Sequence, residues 1–170
     1  MTGMPGRTVH IAQGEHAVGH LPEQMISTLL GSCVSVCLHD AERRVGGMNH
    51  ILLPERGSAA VQSTACGALA MELLINDLLK LGAVKARLTA KVFGGGRMID
   101  GLSNVGARNV DFAMSYLQVE GIRIAGSSVG GKTGRRVQFW PESGKARQKL
   151  MEEVVQEIPA VLAGNDVELF

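Results

Sequence analysis

At 170 residues the chain matches the size of one domain and can bury a core without disulfides or metals. Hydrophobic residues make up 45% and charged residues 19%, with 17 Lys and Arg against 16 Asp and Glu, which excludes a disordered chain and an extended basic face for nucleic acid. MTGMPGRTVH lacks a signal-peptide core and no run of about 18 apolar residues occurs, so a cytoplasmic location without membrane insertion is expected.

In chain order, Thr8 to Ala12 and Ala17 to His20 are short candidate strands. CVSVCLHD, from Cys33, alternates Val34, Val36 and Leu38 against Cys33, Ser35, Cys37 and His39, which is strand periodicity. DAERR then turns, and VGGMNHILLP returns as a second strand stopped by Pro54, completing a hairpin. Ser63 to Leu81 carries apolar residues at Cys66, Ala70, Leu73, Leu74, Leu78 and Leu81, a helical spacing, with Gly82 where the helix ends. Arg87 to Phe93 predicts a strand running into GGG. Asn104 to Leu117 predicts a helix capped by Ser103 or Asn104. Ile122 to Ala125 and Arg136 to Trp140 are further strands. Strands outnumber helices and short turns join several of them, so the expected class is α+β rather than a doubly wound parallel sheet.

Gly126 to Thr133 reads GSSVGGKT and satisfies the phosphate-loop pattern G-x-x-x-x-G-K-[ST]. A working phosphate loop needs a helix starting at the lysine, because that helix's N–H groups hold the anion. Here TGRRVQFWP follows, with Gly134, β-forming residues and Pro141, so a glycine-rich turn between strands is the better reading than a nucleotide hydrolase. GGGR at Gly94 to Arg97 lacks the full dinucleotide spacing. Both glycine loops remain candidates to line a site.

Three cysteines, Cys33, Cys37 and Cys66, without a C-x-x-C pair, argue against a disulfide framework and a zinc knuckle. No His/Asp/Glu spacing suggests a metal, and no cofactor is expected. If the hairpin turns near Glu42, facing residue numbers total roughly 83 to 85, which sets Cys33 opposite position 50, 51 or 52. A total of 83 puts Cys33 and His50 on one face, and a one-residue slip separates them. The pairing matters because a thiol near an imidazole can be activated as a nucleophile. Gly31 and Ser32 precede Cys33 and free the local N–H groups to face a developing oxyanion; Gly95 and Gly96 are further oxyanion or substrate-loop candidates. Ser27 and Thr28 offer hydroxyls that can fix the histidine tautomer. Cys37 and Cys66 are expected in the core.

STLLGSCVSVCLHD, GGMNHILLP, KVFGGGRM, NVGARNV and VGG..GRRVQF with its following SG turn resemble, in order, the CheD family of chemoreceptor glutamine deamidases. The resemblance spans roughly Ser27 to Lys145 of a single 1–170 domain, leaving 146–170 as a C-terminal tail. It implies two stacked β-sheets flanked by helices, like cysteine hydrolases of the deamidating-toxin kind. It also implies a cysteine that attacks a receptor glutamine amide and a histidine that acts as base and then acid. By position these are Cys33 and His50. The family's third member, a threonine six residues before the cysteine, falls on Ser27, with Thr28 beside it as the alternative. Implied partners are methyl-accepting chemotaxis receptors and the CheC phosphatase. A non-catalytic module that regulates receptors or that phosphatase is the alternative.

Overall fold

Ten strands and two long helices are seen in a computed structural model of the chain, which describes residues 6–54, 60–98, 104–151 and 167–170. One sheet runs β1 (Thr8–His10), β3 (Met25–Leu30), β8 (Arg135–Trp140), β9 (Lys145–Leu150) and β10 (Val167–Leu169). The second runs β2 (His16–Gly19), β5 (Val45–Asn49), β4 (Val34–Asp40), β6 (Thr89–Gly94) and β7 (Arg123–Val129). Within them β1 with β3 and β6 with β7 are parallel, and the other pairs are antiparallel. The fold is α+β, as the short turns and alternating segments imply.

Two cores hold the layers together. Ile26, Leu30, Met48, Phe93, Val137 and Phe139 fill the space between the sheets. On the other face of the second sheet, Val34, Val36 and Leu38 pack against Leu74 and Leu78 of α1 (Ala60–Lys80) and Ala113 and Leu117 of α2 (Val105–Val119). Strand β4 is therefore covered on both sides, which is why its two faces read Val-Val-Leu and Ser-Cys with no charge before His39. Sealing both faces of this strand fixes the turn that leads into it, where Cys33 sits.

Helix α1 ends as its sequence predicts: Gly82 has φ +95°, Ala83 N–H bonds Leu78 O and Gly82 N–H bonds Leu79 O. Its buried stripe is Met71, Leu74, Ile75 and Leu78, and Cys66 is exposed, contrary to its expected place in the core. Cys66 lies eight residues from Leu74, about 80° round the helix, and so falls on the solvent edge of the stripe. Helix α2 is capped by Asn104, whose side chain accepts from Ala107 N–H; Ser103 lies outside the described residues. No local sequence signal marks β3, β9 or β10. Residues read as a tail thus form part of the first sheet, with Phe170 packing edge-on to Phe93 at 5.3 Å. GSSVGGKT divides between β7 and a turn into β8, with φ +83° and +79° at Gly130 and Gly131 and no helix at Lys132.

The turn after β4 is held by Asp40, which is fully buried. Its Oδ1 accepts from the N–H groups of Glu42 and Arg43, and its Oδ2 accepts from Val84 N–H and lies 3.1 Å from Arg87. Burial alone would raise this carboxyl, but the hydrogen bonds from Arg87, Val84 and Arg43 more than reverse it and bring it to about 2. A depressed folded pKa stabilises the fold above the unfolded value near 3.8 and stops doing so as pH falls toward about 2. Asp40→Asn should therefore cost about 2 kcal/mol near neutral pH and little near pH 2. Urea unfolding at the two pH values measures this, and an equal loss at both would contradict it.

Candidate active site

The hairpin pairs Cys37 with Met48 and bridges Val34 with Ile51, partners whose numbers total 85. His50 then stands opposite Ser35, with Cys33 its diagonal neighbour on the same face. That face is the inter-sheet one: Cys37 and Met48 belong to the core between the sheets, and Cys33 packs against it. Two residues of slip from a total of 83 preserve the face and change the spacing. Diagonal neighbours stand about 7–8 Å apart between Cα atoms. Accordingly, no hydrogen bond joins Cys33 to His50 among the described residues.

His50 is buried, 7% exposed, and its Nδ1 lies 2.7 Å from Thr28 Oγ1. Thr28 reaches it from β3, across the gap between the sheets. The same hydroxyl donates to Ile11 O at 2.7 Å. A hydroxyl has one proton and the carbonyl can only accept, so Nδ1 must supply the proton of the second bond. The ring is thereby held as the Nδ1–H tautomer, and Nε2 is left as the basic nitrogen. Ser27, next along β3, points to the opposite face of its sheet, and its buried Oγ makes no hydrogen bond among the described residues. The structure thus brings Thr28, not Ser27, to the histidine.

Burial sets the charge state of the pair. It pushes the Cys33 thiol above its ordinary 9.0 and the His50 imidazolium below its ordinary 6.5. The resting pair is a neutral thiol and a neutral imidazole. Cys37 is completely buried and pushed higher still by the same cause, so it is inert.

The glycine loops stand behind Cys33. Gly95 N–H donates to Cys33 O at 2.8 Å and Gly96 N–H to Gly31 O at 2.9 Å. Those two N–H groups are taken, which removes Gly95 and Gly96 as oxyanion donors and makes them a brace for the GSC turn. Their close approach to α2 needs small residues: a Cβ on Gly106 would sit 2.4 Å from Gly95 O. Ser32 and Cys33 N–H have no acceptor among the described residues and remain the available donors. Gly95, Arg97, Val110, Asp111, Gly130 and Lys132 line a groove of about 400 Å³ alongside, so residues of both glycine loops border it.

A family model described as CheD chemotactic sensory transduction matches residues 52–150. Over nearly the whole chain, the "Probable chemoreceptor glutamine deamidase CheD" of Caulobacter sp. (strain K31) is 49% identical, covering 98% of this chain and 94% of its own length. The chain belongs to the CheD family. Proteins of the same name from Acidiphilium cryptum (strain JF-5) and Rhizobium meliloti (strain 1021) are 53% and 51% identical, over 85% and 86% of this chain and 78% and 82% of their own. Among solved structures, Bacillus licheniformis hypothetical protein YfiH aligns with a TM-score of 0.46 at 14% identity, over 66% of this chain and 49% of that one. Among the described residues no helix is long and apolar enough to cross a membrane.

For this CheD chain the two hydroxyls of β3 separate cleanly by mutation. Thr28→Val removes the acceptor of Nδ1–H and frees the tautomer, so turnover should fall about 10-fold or more. Ser27→Ala should leave turnover within twofold. Steady-state rates of the two variants are the measurement, and the reverse ranking would restore Ser27. A fourth polar residue escaped the sequence reading. Asn109, within the NVGARNV block, is fully buried between α2 and the GSC turn.

Proposed function

We propose that the chain is a chemoreceptor glutamine deamidase in which Cys33 is the nucleophile and His50 the general base and acid, with Thr28 holding the ring. The observation that carries this reading is the Thr28 hydroxyl shared between Ile11 O and His50 Nδ1, because it leaves Nε2 basic on the face that also carries the thiol. The name of its relatives supplies the substrate class.

In the proposed reaction Nε2 takes the Cys33 proton as sulfur bonds to the side-chain amide carbon of a receptor glutamine. The carbonyl oxygen becomes an oxyanion facing the N–H groups of Ser32 and Cys33. Collapse breaks the C–N bond, and the nitrogen takes the imidazolium proton and leaves as ammonia. Water, losing a proton to Nε2, attacks the thioester, and sulfur leaves and regains that proton, giving glutamate. One water is consumed and one ammonia released per glutamine.

A neutral resting pair suits this cycle, because the proton taken from sulfur is the one ammonia needs on departure. The receptor's cytoplasmic segments are the proposed substrate, and a CheC-type phosphatase is the proposed partner, on family membership alone. Incubating the protein with a glutamine-bearing receptor fragment tests the proposal: ammonia and an equal amount of glutamate should appear, and neither appearing would refute it.

A further inference from the structure

We propose that Asn109 is a positioning residue that aims the Cys33 N–H at the oxyanion. The inference rests on the deamidase reading and extends it to a residue on the far side of the sheet. Asn109 Nδ2 donates to Ser32 O at 2.8 Å, and its Oδ1 accepts from Leu53 N–H at 3.1 Å. An N–H only donates and a carbonyl only accepts, so the amide has a single orientation that satisfies both. The side chain is fully buried, which leaves it no water to turn toward.

The Ser32–Cys33 peptide is planar and trans, so its C=O and N–H point in opposite directions. Helix α2 packs on the face of the second sheet that carries Val34 and Val36, whereas Cys33 packs with the core on the other face. By drawing the Ser32 carbonyl toward α2, Asn109 turns the Cys33 N–H toward the side where the thiol lies. The carbonyls on either side are fixed as well, Gly31 O by Gly96 N–H and Cys33 O by Gly95 N–H. The peptide between them is the one held by a side chain. The same amide grips Leu53, three residues beyond His50, and thereby ties the nucleophile turn to the segment that carries the base.

Asn109→Asp tests this. It keeps the shape and the acceptor for Leu53 but sets an acceptor against Ser32 O, so the peptide loses its restraint. With a glutamine-bearing receptor fragment we expect kcat to fall about 10²-fold, the scale for loss of one oxyanion donor, with KM within twofold. Alkylation of Cys33 by iodoacetamide at pH 9, in a Cys66→Ser background, should stay within twofold of the parent, because that substitution develops no oxyanion. A kcat within twofold of the parent overturns the proposal. Alkylation falling in step with kcat also overturns it, since Asn109 would then shape the thiol pocket as a whole. If the aspartate variant does not fold, Asn109→Ala, which brings no charge, carries the same expectations. Failure of both to fold overturns it too, by making the amide a structural requirement. Failure of the deamidase reading itself is distinguishable, as the unaltered protein would then release no ammonia.

Discussion

Cys33→Ala should abolish ammonia release from a receptor fragment, by roughly 10³-fold or more, while leaving the melting temperature near that of the parent. The side chain is only partly buried and packs at the margin of the inter-sheet core, so its loss leaves little cavity. Residual turnover within tenfold of the parent would remove Cys33 as the nucleophile. Thiol labelling gives an independent view of the same residue, provided that Cys66 is first replaced, since its exposure makes it label regardless. The expected signature is slow alkylation of Cys33 near neutral pH that accelerates up to and beyond pH 9, because burial holds the resting thiol protonated.

Removal of the proposed base comes next in size. His50→Ala should lower turnover about 10²- to 10⁴-fold. The pH profile of the unaltered enzyme identifies how His50 acts. Burial favours the neutral ring, so the base is ready above its lowered pKa and silenced as pH falls through it, placing the acid limb of kcat/KM below 6.5. The alkaline limb belongs to loss of the thiol proton, which ammonia requires on departure, and lies above 9.0. A broad plateau should separate the two. A thiolate and imidazolium resting pair would instead bring the alkaline limb down to the titration of the ring, and a limb between pH 7 and 9 would show that the pair rests charged.

Local sequence carried the hairpin well. Its alternation set the strands, and its short turn confined the register to three choices, one of which is observed; the choice itself depended on pairing that periodicity does not encode. Gly82 and Asn104 marked helix ends because capping is a local matter. What escaped was non-local. Strand β3 pairs with β1 and with the distant β8, and MISTLL alone has too short an apolar run to announce a strand. Without β3 the alternation that sends Thr28 inward and Ser27 outward was invisible, and both hydroxyls stood open. KARQKL reads as polar, yet Ala146 and Gln148 are buried where β9 lies between β8 and β10. Asn109 lay inside the NVGARNV block, but its role depends on Ser32 and Leu53, 77 and 56 residues away.

The bond between Thr28 and His50 crosses from one sheet to the other. Thiol and imidazole belong to a single local hairpin and can come together as soon as that hairpin forms. The hydroxyl that selects the tautomer arrives only when the first sheet docks. A chain caught with its second sheet formed alone would hold both reactive groups and still lack a defined base. If Thr28 sets the base as proposed, a kinetic trace of regained activity should follow sheet docking rather than hairpin closure.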